Sequence, residues 1–134
     1  MQLPCRPISD TGEVLPIVGL GSTKPVRMIA TAGTESIEAV IGVLLDYGGS
    51  VIDTAPRSKE IDTEFGRVLQ RLDSDGELFV AVKINATGRE AGIAQFRQTQ
   101  ELFGRRRFDL VQIESLTDLD TQWPTLRALK EDGE

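Results

Sequence analysis

Two apolar runs of this sequence end in opposite charges. Val51-Ile52 leads into Asp53, and Phe79-Val80-Ala81-Val82 leads into Lys83, thirty positions later. A charge at the end of a buried strand is costly unless something pairs with it. Strand ends followed by helices are also where α/β enzymes place their chemistry. Above adjacent parallel strands these two side chains meet. Spacing alone supports two readings of that meeting, a reactive site or a structural ion pair at a strand end. Histidine is absent, which excludes histidine metal sites and any Ser-His-Asp or Cys-His mechanism within this chain. Cys5 is the single cysteine, so no intrachain disulfide forms and a cytoplasmic setting is the expectation.

The elements that position Asp53 and Lys83 follow from periodicity. Leu3 to Pro16, around the turn residues Asp10-Thr11-Gly12, reads as a small β-hairpin. Ile17-Val18-Gly19-Leu20-Gly21 reads as a buried strand, and Ser22 to Gly33 as a loop. Thr34 is placed to cap a helix in which Ile37, Val40, Ile41 and Leu44 share a face, ended by Gly48-Gly49. After Asp53, Thr54 to Arg57 turn the chain into a helix with Ile61, Phe65, Val68, Leu69 and Leu72 inward. Leu78 to Ile84 is a third strand, and Gly88 to Phe103 a helix with Ile93, Phe96 and Phe103 inward. Asp109 to Ile113 is a fourth strand. A last helix begins at Asp120 or Thr121 and aligns Trp123, Leu126 and Leu129 as its packing face.

Strands thus recur near positions 18, 51, 80 and 111, each followed by a helix. This alternation predicts parallel strands with right-handed crossovers in a single domain, residues 1–134. Two architectures fit, a doubly wound open sheet and the first half of a (β/α)8 barrel, since a whole barrel takes about 250 residues.

The chain has 134 residues, 40% of them apolar and 27% charged, with a formal net charge of −6. That balance argues against nucleic acid or an anionic membrane surface as partner. No run reaches membrane-spanning length, and the N-terminus lacks the apolar core of a secretory signal. The basic cluster Arg105-Arg106-Arg107 reads as a solvated helix end. Gly19-Leu20-Gly21 lacks the third glycine of a dinucleotide fingerprint, Lys24 standing there instead, and reads as a close-packed strand end. Glu114, Asp118 and Asp120 are too loosely spaced for a calcium loop, and no metal site is expected.

Several segments together resemble the N-terminal half of an aldo-keto reductase. Ile52-Asp53-Thr54-Ala55-Pro56, Asp62, Phe65 and Gly66, preceded by Gly49, are similar to the family block that contains I-D-T-A, with the closing glycine thirteen positions after Asp53. Leu78 to Lys83 is similar to the strand that carries the family's catalytic lysine. Phe108-Asp109-Leu110-Val111-Gln112-Ile113 is similar to the strand that leads into its catalytic histidine. The hairpin and Val18 to Gly21 match the family's start.

The resemblance implies a (β/α)8 barrel of which only four βα units are present, and hydride transfer between NADPH and a small carbonyl substrate. In the family a tyrosine is the general acid, its pKa lowered by a lysine paired to an aspartate, and a histidine orients the carbonyl. Carried over, Asp53 and Lys83 match, but the tyrosine position is Ser58 and the histidine position is Glu114. A serine hydroxyl is a far poorer proton donor than a phenol. Tyr47, the single tyrosine, is expected at the opposite end of the barrel. Glutamate at the histidine position also resembles the steroid 5β-reductases, which keep the tyrosine. Gly21, Ser22, Thr23 and Asp53 are the positions expected to reach NADPH. The chain alone is therefore expected to be catalytically silent. Its partner is expected to be a second copy or a missing C-terminal half, because the sheet edges and the inward side chains (Val18, Leu20, Val80 and Val82) lack an opposing layer. A non-catalytic binding or scaffold protein on the same half barrel is the alternative.

Overall fold

A computed structural model describes residues 2–10, 12–21, 24–73 and 75–134. The chain opens with a two-stranded antiparallel hairpin, β1 (Cys5–Pro7) with β2 (Val14–Pro16), in the register Arg6 to Leu15. β3 (Gly19–Gly21) then starts a second sheet. Two short helices follow, α1 (Lys24–Arg27) and α2 (Ile29–Ala32), where the sequence suggested a loop. They bury Val26 and Ile29, so a proline-containing connection that lacks long periodicity still folds once the core accepts two apolar anchors. α3 (Glu35–Asp46), β4 (Val51–Asp53), α4 (Lys59–Leu72), β5 (Phe79–Ile84), α5 (Arg89–Phe103), β6 (Leu110–Ile113) and α6 (Leu119–Glu131) complete the chain. A 3-10 turn, Glu114–Leu116, leads from β6 toward α6.

The second sheet is fully parallel in the order β3-β4-β5-β6. Each strand pairs with the next one in sequence, so every right-handed crossover lies on the same side. A doubly wound sheet reverses its strand order, and this one does not. Helices therefore coat one face of a four-stranded half barrel. The core lies between that face and the helices, with Ile52, Val80 and Val82 of the strands packed among Ile41, Phe65 and Phe103.

Strand parity corrects one expectation. Leu20, Val80 and Val82 belong to the helix-side core, and do not point into the barrel. Neighbouring residues on a strand face opposite ways. Gly19, Gly21, Val51, Asp53, Phe79, Ala81, Lys83, Leu110 and Gln112 therefore line the inner face. Val18 is 47% exposed.

Three edge-to-face ring pairs knit α4, α5 and the approach to β6: Phe65–Phe103, Phe103–Phe108 and Phe96–Phe108, with centroids 6.0, 5.8 and 6.2 Å apart. Gly66 permits this approach. A Cβ there would lie 2.6 Å from Leu102 O and from Phe103 Cα, so any larger residue pushes α4 off α5. Gln70 Nε2 donates to Phe103 O at 2.7 Å across the same contact.

The basic cluster is only partly a solvated helix end. The Arg105 guanidinium reaches Asp73 Oδ2 (3.2 Å), Asp109 Oδ2 (3.1 Å) and Leu78 O (3.0 Å), while Asp109 Oδ2 also accepts from Val80 N at 2.8 Å. Arg105 is a clamp at the N-terminal ends of β5 and β6. α6 likewise buries a different face from the one its apolar residues suggest. Gln122 and Thr125 are buried and Trp123 is 59% exposed. Gln122 Nε2 donates to Ala86 O and Gly88 O, at 3.1 and 2.9 Å, and these bonds select the buried face. The α3 N-cap, Thr34, makes no side-chain bond to the helix backbone. Its hydroxyl bonds Glu38 instead, which, together with Arg71, holds the Glu38 carboxyl below the usual range.

Candidate functional site

The inner face turns polar at the C-terminal ends of the strands. Lys83 Nζ donates to Asp53 Oδ1 at 2.5 Å and to Thr54 O at 3.2 Å. Gln112 Nε2 donates to the same Asp53 oxygen at 2.8 Å. The ladder register explains the trio: Lys83 sits opposite Gln112 on β6, and Asp53 opposite Ala81, two residues before Lys83. Three consecutive strands thus aim one carboxylate, one ammonium and one amide at a single point. The Lys83 side chain is 20% exposed and Asp53 46% exposed, so the point is accessible from the barrel mouth.

The turn after Asp53 is held by its own bonds. Arg57 Nη1 donates to Thr54 Oγ1 (3.0 Å) and Ala55 O (2.9 Å). Arg57 N donates to Asp62 Oδ2 at 2.9 Å. Ser58 Oγ accepts from Ile61 N at 3.4 Å and caps α4. Asp62 is 95% buried by side-chain packing on α4, being 5% exposed, and its Oδ1 has no hydrogen-bond partner. Burial raises the Asp62 carboxyl above its ordinary range, against the Arg57 backbone N–H and the Arg57 charge, which lower it. Burial lowers the Arg57 guanidinium in turn, opposed by Asp62.

Glu114 stands beside this trio in a network of its own. Asn85 Nδ2 donates to Glu114 Oε2 at 2.9 Å, and Gln95 Nε2 donates to Asn85 Oδ1 at 2.8 Å. Gln95 Oε1 accepts from the backbone of Asn85 (2.9 Å) and Ala86 (3.1 Å). Directly after Glu114 the backbone is strained: Ser115, Leu116 and Asp118 all have positive φ, at 54°, 55° and 49°. Asp118 Oδ2 accepts from Gly88 N at 2.7 Å, which, as the largest cause, holds its carboxyl below the usual range.

Of the residues singled out in the sequence, Asp53 and Lys83 come together. Ser58 lies at the start of α4, its oxygen committed to the helix end. Glu114 is held by Asn85. Gly21 pairs with Asp53 in the ladder and is exposed, with open space where a Cβ would be. Ser22 and Thr23 lie outside the described residues. Tyr47 caps α3 at the other end of the sheet, where its carbonyl accepts from Leu3 N at 2.9 Å. Gln112, Asn85 and Gln95 were missed. Gln112 had left a signal, a lone amide inside the apolar run Leu110-Val111-Gln112-Ile113.

The enclosed space on the helix side of the sheet, among Thr54, Asp62, Val82, Thr99 and Phe103, measures about 10 Å³, room for one water at most. Among the described residues no group of three or more carboxylates or thiols is placed to hold a metal ion, and no helix is long and apolar enough to cross a membrane.

A sequentially wound parallel half barrel with a lysine–aspartate pair at its C-terminal mouth is, in architecture, half of a (β/α)8 barrel. Comparison with solved structures gives the particular barrel: the chain has the fold of the first half of an aldo-keto reductase. A Pseudomonas aeruginosa protein assigned to the aldo-keto reductases superposes with a TM-score of 0.77 at 22% identity, covering 96% of this chain and 56% of that one. An aldo-keto reductase from Bacillus halodurans, in its holo form, superposes with a TM-score of 0.73 at 13% identity, covering 98% of this chain and 48% of that one. The chain therefore spans about half the length of the structures it matches. No family model and no curated protein matches the sequence.

Proposed function

We propose that this chain is the first half of an aldo-keto-reductase-type oxidoreductase unit, silent by itself toward carbonyl reduction by NADPH. The observation that carries the reading is the 2.5 Å contact between Lys83 Nζ and Asp53 Oδ1 at the open mouth of the half barrel. A lysine–carboxylate pair in such a place can polarise a neighbouring hydroxyl. Here the hydroxyl at the expected position, Ser58, is engaged with Ile61 N, and Glu114 is engaged with Asn85. General-acid catalysis is worth about 10²–10⁴-fold, and no phenol stands at the mouth to supply it. A dinucleotide also needs walls that four strands do not build, so cofactor and substrate require a complement, either a C-terminal half or a second copy. The same engagement of Ser58 and Glu114 favours a second reading, a binding or scaffold protein in which the pair only holds the mouth together.

The test is reduction of small aldehydes by NADPH, followed at 340 nm. Purified chain is expected to give no turnover above buffer, and Ser58→Tyr with Glu114→His in this chain alone is expected to give none either. Turnover that survives Ser58→Ala and is lost in Lys83→Met overturns the reading, since another proton donor must then operate.

A further inference from the structure

Among the described residues Asp62 is the only buried charged side chain. It sits on α4 beneath the turn that follows Asp53, and its two oxygens are treated differently. Oδ2 accepts from Arg57 N at 2.9 Å, while Oδ1 has no partner among the described residues. A buried carboxylate oxygen without a donor is costly, and folded proteins meet such atoms with a side chain or with ordered water. Asp62 is also a wall of the cavity on the helix side of the sheet, whose volume of about 10 Å³ is close to what one water requires. Two further walls carry hydroxyls, Thr54 and Thr99, and Val82 and Phe103 supply apolar surface. The free hydrogen-bonding capacity of the polar walls is complementary. Thr54 Oγ1 accepts from Arg57 Nη1 at 3.0 Å, which leaves its own hydrogen to donate. Thr99 Oγ1 donates to Gln95 O at 2.9 Å, which leaves its lone pairs to accept. A water between them donates to Asp62 Oδ1 and Thr99 Oγ1 and accepts from Thr54 Oγ1, about the three bonds typical of a buried water. The walls belong to β4-α4 and β5-α5, the two middle units, so the cavity is independent of what lies beyond either edge of the sheet.

We propose that Asp62, Thr54 and Thr99 bind one water molecule in this cavity, and that the bound water holds the turn 54–57 so that Thr54 O meets Lys83 at the mouth. The path is short. Thr54 N donates to Ala81 O at 2.9 Å, and Thr54 O accepts from Lys83 Nζ at 3.2 Å, so the sheet grips the start of the turn. Asp62 grips its end through Arg57 N. The water ties α4 and α5 to Thr54 between these two grips, from the side opposite the mouth. Asp62 and Thr99 are positioning residues in this arrangement, acting on Lys83 through Thr54. The inference goes beyond the oxidoreductase reading, because it holds equally for a scaffold in which the Asp53–Lys83 pair only binds the mouth together.

Oxygen-17 magnetic relaxation dispersion of the solvent counts long-lived buried waters and is blind to exchanging hydroxyl protons. The whole chain is expected to hold one such water more than Thr99→Val, which keeps the shape of the side chain and removes its acceptor. Thr99→Ser restores the hydroxyl and is expected to restore the water. The second readout is the carbon-13 resonance of the Lys83 ε-methylene, assigned by its disappearance in Lys83→Met. It is expected to move in Thr99→Val and to return toward its original position in Thr99→Ser, a rescue that loss of packing alone does not produce. Asp62→Leu, the apolar isostere, is expected to lose the water and to move the same resonance. Circular dichroism checks that each variant folds, and the two Thr99 variants decide the matter if Asp62→Leu does not. Equal water counts in the parent and Thr99→Val overturn the site. A water lost with the Lys83 resonance unmoved overturns the positioning role. Either result leaves the reading of the Asp53–Lys83 pair intact, since that rests on their direct contact.

Discussion

A double-mutant cycle on Asp53 and Lys83 measures how wet the mouth of the half barrel is. The variants are Asp53→Asn, Lys83→Met and the pair together, with Met chosen to retain the packing of the lysine stem. Two unit charges near contact interact by about 1 kcal/mol in bulk water and about 4 kcal/mol in a site of intermediate polarity. Asp53 is 46% exposed and Lys83 20% exposed, so screening is substantial, and ion pairs in such settings are worth about 1 kcal/mol. Asp53 keeps a second donor in the cycle, Gln112 Nε2 at 2.8 Å, which limits the loss when the lysine goes. The expected coupling energy is therefore about 1 to 2 kcal/mol, read from urea unfolding of the four proteins at neutral pH and moderate salt. A coupling above about 4 kcal/mol would refute the reasoning, because it requires a dry site. A coupling below about 0.3 kcal/mol would refute it from the other side, as the pair would then be an ordinary surface contact.

Gly66→Ala should destabilise the fold by about 1 to 3 kcal/mol in the same assay, because the overpacking against Leu102 and Phe103 outweighs the better helix propensity of alanine. Ser58→Ala should cost about 1 kcal/mol through loss of the α4 cap; no loss of stability would free the hydroxyl for another role. Asp62→Asn isolates the pH dependence of the buried carboxyl. Its folded pKa is raised, so its contribution is fully present below the unfolded value and is lost as pH rises through the folded value. The variant should therefore gain on the parent between acid and neutral pH and converge with it at low pH, by denaturant midpoint against pH; a gap independent of pH contradicts this.

The rhythm of the fold was legible because each apolar strand is short, bounded by turn residues and followed by a strong helical period. Asp53 and Lys83 stood out as charges closing such runs. What the sequence could not convey was direction. A strand buried on one face by helices and lining a barrel on the other is apolar on both, and the hydrophobic runs of Ile17 to Gly21 and Phe79 to Val82 gave no parity. The side facing the helices emerged only once Asp53 and Lys83 shared an inner face. Trp123 misled for a related reason. Apolarity marked it as a packing residue, while hydrogen bonds from Gln122 to Ala86 and Gly88 turned α6 the other way. Asn85 and Gln95 were invisible because an amide becomes a site residue only through partners brought together by tertiary structure.

The sequential strand order has a kinetic consequence. Every strand of the parallel sheet finds its neighbour in the unit just before it, so no pairing waits for a distant part of the chain. Loop closure between neighbours roughly thirty residues apart is cheap compared with closing a whole barrel. Each βα unit can therefore dock on its predecessor as it leaves the ribosome, N-terminal unit first, growing the sheet one strand at a time. On such a path the nascent chain carries a single growing edge, which passes from β3 to β4, β5 and β6 as each strand docks.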